Sequence, residues 1–153
     1  MRKCVQCREY KRLDQFSLDR SRITGMNPRC RVCGSQNTKQ WRRANPERAA
    51  EIDARAQAAV KESAINVYSN GEACCACCGQ ADMDVLCLDH INDDGAHHRK
   101  VMGLLGYRMY LWARRNDYPP VLQVLCLNCN HKKRIIRSRE PHCNVSLERL
   151  RQG

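Results

Sequence analysis

Apolar and polar positions in the second half of the chain predict a strand that ends at a short Asp-His sequence. Apolar residues are frequent from Met83 to Ile91, and this strand-like run reaches its end at Asp89 and His90. The residues from Asn92 to Gly95 are rich in turn formers and predict a tight turn. The pattern therefore places an acid and an imidazole together where a strand passes into a turn.

A helix, a short strand and a second helix are predicted after this turn. Apolar side chains recur at roughly helical spacing between His98 and Asn116, and Pro119 and Pro120 end that helix. Residues Val121 to Leu125 are predicted as a short strand, and residues Asn128 to Arg139 as a basic helix. This order of elements is typical of a small α+β domain.

The middle of the chain predicts one long helix. Asn45 followed by Pro46 is typical of a helix N-cap and first helical position, and few helix breakers occur before Asn70 and Gly71. The apolar stripe of this helix is Ala49, Ile52, Ala56, Ala59 and Val60. Such a weak stripe is enough to dock on a neighbour but not to form a core. The chain thus divides into a module over 1–43, a linking helix over 44–70, a domain over 71–139 and a tail over 140–153.

Cysteine pairs with metal-ligand spacing occur in both modules. The first module contains Cys4 with Cys7 and Cys30 with Cys33. In the second, Cys126 and Cys129 form one pair, and the cluster CCACCG offers either Cys74 with Cys77 or Cys75 with Cys78. Glycine directly follows only the latter pair and would relax the turn, so we favour Cys75 and Cys78. A redox dithiol is the alternative to zinc for such pairs.

Composition favours metal as the stabilising element. The chain has twelve cysteines and a single phenylalanine, so neither module can build a large aromatic core. Two structural zinc ions are therefore expected, in a compartment that keeps thiols reduced. No apolar run resembles a signal peptide or reaches the roughly 18 residues needed to span a bilayer, so we expect a soluble intracellular protein with no membrane partner. The remaining cysteines, predicted as buried thiols, are Cys74, Cys77, Cys87 and Cys143.

Positive charge is concentrated at the two ends of the chain. The net charge is +11, of which residues 1–43 carry +9 and residues 129–153 carry +5, while the middle is slightly acidic. This layout suits a polyanion held around a centre that binds a divalent cation, although a solubilising surface is the alternative. The residues that we expect to contact phosphates are Arg42, Arg43, Arg99, His131, Lys132, Lys133 and Arg134.

The stretches LDHINDDGAHHRK and YPPVLQVLCLNCNHKK resemble the HNH family of nucleases, and are closest to the phage and bacterial branch that includes recombination endonuclease VII. The resemblance covers residues 75–134, and the four-cysteine module at the N-terminus resembles one often found ahead of this domain. It implies a treble-clef or ribbon-like zinc module, a linking helix and a ββα-metal (His-Me finger) domain. It also implies a metal-dependent DNA endonuclease in the cytoplasm of a bacterial cell or a phage-infected host.

The same resemblance assigns roles to individual residues. His90 would be the general base, and Asp89 and Asn130 would hold a catalytic Mg²⁺ or Mn²⁺. Many relatives have an asparagine where this chain has Val121, and Asn116 and Asn128 are candidates to orient His90 in its place.

The chemistry of these residue types agrees with the resemblance. Hydrolysis of a phosphodiester needs a base and a cation. An imidazole with a pKa of ~6.5 can accept a proton at physiological pH, and hard oxygen ligands suit Mg²⁺. His98 or Arg99 could contact the scissile phosphate. A hydrogen-bonded surface turn is the alternative for the Asp-His pair alone.

Two questions about function stay open at this point. A catalytically inactive, zinc-dependent DNA-binding protein is the competing class. Since one HNH site cuts one strand per visit, a double-strand cut would suggest a homodimer or two sequential nicks.

Overall fold

The structure, a computed structural model, describes residues 1–139 together with Glu148 and Arg151. Chain contacts divide the protein into two compact units, Met1–Asp53 and Ala54–Gly153. The boundary falls within the long helix, for which the sequence predicts a separate linking segment. The predicted tail over 140–153, with Cys143, lies outside the described residues apart from Glu148 and Arg151.

The first unit consists of two short antiparallel strand pairs followed by a helix. Strand β1 (Arg2–Lys3) pairs with β2 (Tyr10–Lys11), and β3 (Phe16–Leu18) pairs with β4 (Met26–Cys30), which runs directly into helix α1 (Arg31–Ala44). The buried core of this unit consists of Phe16 and three of its four cysteines, with the fourth packed against it. So small a core leaves the cysteine cluster as the main means of holding the strands to the helix.

Helix α2 (Pro46–Tyr68) begins at the predicted proline. Asn45 itself caps the preceding helix, since its backbone N–H and its side-chain amide both donate to the carbonyl of Trp41. The C-terminal half of α2 does more than the weak apolar stripe predicts. Ala64 and Ile65 are fully buried, and Ile65 belongs to the core of the second unit, whereas Ile52 is exposed. The prediction that this helix only docks on a neighbour is therefore wrong, because the helix supplies part of a core.

The second unit is built on one antiparallel strand pair and the helix that follows it. Strand β5 (Leu86–His90) pairs with β6 (Leu122–Cys126), and helix α5 (Leu127–Arg139) starts at the next residue and packs on both strands. Leu86, Val124 and Leu125 are buried with Ile65 between these elements. The predicted strand end at Asp89 and His90 is confirmed, and the strand starts at Leu86 because residues 83–85 form a turn.

The single helix predicted from His98 to Asn116 is wrong. The structure has two helices there, α3 (Gly95–Met102) and α4 (Tyr107–Arg115). Gly103 and Gly106 adopt positive φ angles of 62° and 52°, a conformation that ends a right-handed helix and that glycine adopts at little cost. The apolar spacing is continuous across this break, so periodicity alone did not reveal it.

Helix α2 also fixes the loop that leads into β6. The hydroxyl of Tyr68 donates to the carbonyl of Pro119 (2.9 Å), its ring packs edge-on against Tyr118, and the hydroxyls of Ser63 and Tyr118 are bonded at 2.9 Å. Strand β6 therefore starts from a fixed point. Within the described residues, no helix is both long enough and apolar enough to cross a membrane.

Candidate functional site

Two groups of four cysteines can each hold one metal ion. The groups are Cys4, Cys7, Cys30 and Cys33 in the first unit, and Cys75, Cys78, Cys126 and Cys129 in the second. In each group the sulfur atoms lie within 4.8 Å of one another, as four thiolates around one tetrahedral zinc require. The choice of Cys75 and Cys78 over Cys74 and Cys77 is confirmed. Among the described residues these two are the only groups of three or more His, Cys, Asp or Glu that can hold an ion.

The first pair of each group lies in a tight turn of the same form. The N–H of Arg8 donates to the carbonyl of Cys4, and the N–H of Gly79 donates to that of Cys75, both at 2.9 Å. Arg8 and Gly79 have φ angles of 62° and 75°, so the turn requires a left-handed residue after the second cysteine. Gly79 adopts this conformation freely, as predicted from the sequence, whereas Arg8 adopts it at a cost.

The second pair of each group joins a strand to a helix. Cys30 and Cys126 are the last residues of β4 and β6, while Cys33 and Cys129 lie in the first turns of α1 and α5. The N–H of Cys129 donates to the sulfur of Cys126 (3.4 Å). A metal ion at this corner would hold the strand, the helix and the preceding turn together, which fixes the direction in which α5 leaves the sheet.

One thiol in each group is prepared to ionise. The backbone N–H of Cys30 donates to the sulfur of Cys4 (3.3 Å) and lowers the pKa of Cys4 to about 6. Burial opposes ionisation of Cys75, but backbone N–H groups outweigh it and lower the pKa of Cys75 to about 7. Burial raises the pKa of Cys33 to about 12. Because the thiolate is the metal-binding form, the surroundings of Cys4 and Cys75 favour metal binding, whereas a metal ion at Cys33 must displace a proton that burial retains.

A groove lies beside the end of β5, the start of α3 and one face of α5, and we call it the His90 groove. Its charged and polar lining consists of Asp89, His90, Asp93, Arg99, Asn130, Lys133, Arg134 and Arg137. The groove therefore brings together an imidazole, two carboxylates, an amide, an ammonium and three guanidinium groups within the second unit.

The His90 ring is held at a short distance from a second histidine. His90 Nε2 lies 2.7 Å from His98 Nδ1, and the two rings are perpendicular. The His98 ring in turn packs edge-on against Trp112, with 4.4 Å between ring centroids. Burial is the main influence that lowers the pKa of His90 below its usual range, which favours the neutral imidazole.

Asp89 is bonded on one side of the groove to a buried lysine. Its Oδ2 accepts from Lys133 Nζ (2.6 Å) and from Gln123 Nε2 (2.9 Å), the residue opposite it on β6. Lys133 also donates to the His90 carbonyl (2.5 Å) and pairs with Asp93 Oδ1 (2.9 Å). Only 2% of the Lys133 side chain is exposed, so the expectation that it clamps a flanking phosphate is corrected: it is an internal ion-pair partner.

Asn130 faces the same groove from α5. Its amide nitrogen donates to the sulfur of Cys87 (3.2 Å), which itself donates to the carbonyl of Leu125. The amide oxygen is therefore the ligand atom that Asn130 offers to a cation. Cys87, predicted as a buried thiol, is half-buried, as are Cys74 and Cys77.

The other predicted residues divide between this groove and the surface. Arg99 and Arg134 line the groove, and His131 is exposed beside Arg134 at 3.2 Å. Asn116 donates its amide to the carbonyl of Trp112, and Asn128 is exposed, so neither predicted residue is placed to orient His90. In the first unit, Arg42 forms a two-bond ion pair with Asp53 and Arg43 is exposed, while Lys132 lies half-buried on α5.

Sequence reasoning missed two residues of the groove. The sequence predicts only a turn at Asp93, yet its carboxylate is buried against Lys133. The sequence places Arg137 only in a basic helix, yet its guanidinium donates to the carbonyl of Asp93. Arg137 lies four residues, about one helical turn, after Lys133. That spacing was the available signal that both side chains share one face of α5.

No family model, curated protein or solved structure matches this chain. The resemblance to the HNH family therefore rests on the motifs of the chain itself.

Proposed function

We propose that this chain is a metal-dependent DNA endonuclease of the HNH type, which hydrolyses phosphodiester bonds by nicking or double-strand cleavage. The observation that carries the proposal is the His90 groove, where a neutral imidazole, an acid beside it and an amide from the next helix face the same space as three guanidinium groups. Hydrolysis of a phosphodiester needs a base, hard oxygen ligands for a cation, and positive charge around the phosphoryl oxygens.

We also infer the finer fold from the order of the elements. In each unit a cysteine turn, a strand pair and a helix share one four-cysteine group, which is the arrangement of a treble-clef motif. In the second unit β5, β6 and α5 would form the ββα-metal core, with α3 and α4 inserted between the two strands.

His90 would act as the general base. Its ring accepts a proton from a water molecule, the water oxygen forms a bond to phosphorus, and the bond from phosphorus to the leaving oxygen breaks. The leaving oxygen then takes a proton from solvent, and His90 returns its proton to solvent. The depressed pKa of His90 suits this role because the base must start neutral.

Asp89 and Asn130 fit a divalent ion by their chemistry. One carboxylate and one amide oxygen are a typical protein share for Mg²⁺, which keeps several waters and binds substrate phosphate directly. When bound, Mg²⁺ or Mn²⁺ would neutralise charge on the phosphoryl and leaving oxygens. Lys133 and Gln123 both bond to Asp89 Oδ2 and so hold this carboxylate in a fixed orientation.

The arginines would bind the phosphate groups of the DNA. Arg99, Arg134 and Arg137 line the groove from α3 and α5, and guanidinium groups bind phosphate oxygens in pairs. Their positions on two helices would grip the backbone on both sides of His90.

A cleavage assay on the zinc-loaded full chain tests this function. We expect supercoiled, linear and branched DNA to be cut only when Mg²⁺ or Mn²⁺ is added, with cut positions mapped on both strands.

His90→Ala should lower the rate by about 10² to 10⁴, the range for loss of a general base, and leave DNA binding unchanged. His97→Ala, at the exposed neighbouring histidine, is the matched control and should cut normally. Wild-type cleavage by His90→Ala with zinc intact would exclude this role.

A non-enzymatic zinc-dependent DNA-binding protein is the second candidate, and the ion pair of Lys133 favours it. The ammonium pairs with both Asp89 and Asp93, so Asp89 has a cationic partner without a divalent ion. Tight DNA binding without cleavage of any of the three substrates, at any Mg²⁺ or Mn²⁺ concentration, would select this candidate.

A further inference from the structure

Helix α3 lies beside both nitrogens of the His90 ring. His98 lies at Nε2, and Gly95, three residues earlier on α3, lies at Nδ1. A side-chain carbon built on Gly95 would be 2.9 Å from His90 Nδ1 and 3.4 Å from Cε1. The absence of a side chain at Gly95 therefore leaves the space beside Nδ1 unfilled by this residue, while His98 occupies Nε2.

Only one tautomer lets His90 serve as a base in this arrangement. If Nε2 carries the proton, it donates to His98 Nδ1 and leaves a lone pair on Nδ1, beside Gly95. In the opposite case His98 donates, and the proton of His90 lies on Nδ1, where it blocks proton uptake. Arg99 Nη1 lies 3.5 Å from the same point beside Gly95, and a guanidinium can only donate hydrogen bonds. A lone pair on Nδ1 is thus the form that this neighbourhood favours.

We propose that His98 is the positioning residue for His90: it accepts the Nε2 proton of His90, fixes the ring, and leaves Nδ1 as the atom that receives the proton from water. The proposal rests on the proposed function for the reaction itself. It assigns to His98 the orienting task for which the sequence suggested Asn116 or Asn128.

Trp112 gives His98 the support that this task needs. Its ring packs on His98 from α4, which starts after the break at Gly103 and Gly106. His98 is therefore held between two rings, one that it orients and one that supports it. A histidine fixed in this way can keep a single hydrogen-bond geometry, which a solvated loop histidine cannot.

Two substitutions distinguish the hydrogen-bond acceptor of His98 from its aromatic ring. His98→Phe keeps an aromatic ring against Trp112 but removes the acceptor. His98→Asn removes the ring but can place an amide oxygen close to the position of Nδ1. We expect His98→Phe to lower kcat by about 10- to 100-fold, as loss of an orienting partner does, with little change in KM. His98→Asn should recover part of that loss, and His97→Phe should leave kcat unchanged.

The NMR spectrum of the His90 ring reports its tautomer and tests the same proposal without DNA. Long-range proton–nitrogen NMR on the zinc-loaded, ¹⁵N-labelled full chain should show the Nε2–H tautomer in the wild type and in His98→Asn, and a mixture in His98→Phe. An Nδ1–H tautomer in the wild type would overturn the proposal, as would a His98→Phe protein that keeps both the spectrum and the rate. If wild-type protein cut no DNA, the catalytic part would fall with the proposed function, and the spectrum would still decide the hydrogen bond. Zinc content and circular dichroism verify that each variant is folded.

Discussion

The residue beside Nδ1 of the His90 ring has no side chain. Gly95 lies within helix α3 and needs no unusual backbone conformation, so its importance lies in the space that it leaves at His90 Nδ1. Alanine is normally the better helix residue by about 1 kcal/mol. At this position, helix propensity therefore favours alanine, whereas the space beside His90 favours glycine.

Gly95→Ala should lower the cleavage rate by about 10²-fold, because the added methyl group forces the His90 ring to shift, and small displacements of a reacting group have costs of this size. The measurement is single-turnover cleavage with saturating protein. Gly34→Ala is the matched control, since Gly34 also lies in a helix and an added carbon there meets nothing within 4 Å. Equal rates for the two variants would contradict the role of this space.

The sequence made some of these residues predictable and hid others. The eight cysteines, Asp89 and His90 could be found because their spacing is local. His98 could be named as a candidate, but its hydrogen bond to His90 depends on how α3 turns back over β5. Lys133 was misassigned because a lysine in a basic run is usually exposed, and only the fold shows that two carboxylates meet it.

At the scale of elements, helix α2 has two different halves. Its buried residues near the C-terminus pack with β5 and β6, whereas side chains on the opposite face are exposed. The sequence predicted the start of this helix at Pro46 because capping signals are local. It missed the packing of Ile65 because the apolar stripe was too weak to indicate which half meets a core.

Ile65→Ala should lower the free energy of unfolding of the second unit by about 2–5 kcal/mol, the usual cost of a large cavity in a core. Val67→Ala, on the same helix but 47% exposed, should change it by less than about 0.5 kcal/mol. Urea unfolding in zinc-containing buffer, followed by Trp112 fluorescence in a Trp41→Phe background, measures both. Similar losses for the two variants would show that α2 does not contribute to the core in this way.

At the scale of the whole molecule, two units each close around four cysteines. Neither has a core large enough to be stable without a bound metal ion, so metal binding should control the folding of both. Native mass spectrometry should find two zinc ions per chain, which survive exchange into magnesium buffer. Removal of zinc with a strong chelator should unfold both units and abolish cleavage. A folded preparation with one zinc ion or none would contradict this prediction.

The charge of the first unit should appear in the salt dependence of DNA binding. Arg43 is exposed, whereas Asp53 already compensates the neighbouring Arg42. Arg43→Gln should therefore reduce the slope of log Kd against log salt by about 1, and Arg42→Gln by less. Fluorescence anisotropy on a labelled duplex between low and moderate salt measures the slopes. A larger effect of Arg42→Gln would show that the Asp53 pair opens on DNA.

The buried ammonium of Lys133 has a consequence for the order in which the proposed nuclease would bind metal and DNA. The ammonium and the three guanidinium groups of the His90 groove outnumber its two carboxylates, so the oxygens around Asp89 should attract a divalent cation only weakly. The free protein would therefore spend most of its time without magnesium. A DNA phosphate would supply the missing negative charge, so metal and DNA would bind together. Without bound DNA, the protein would lack the metal ion that cleavage requires.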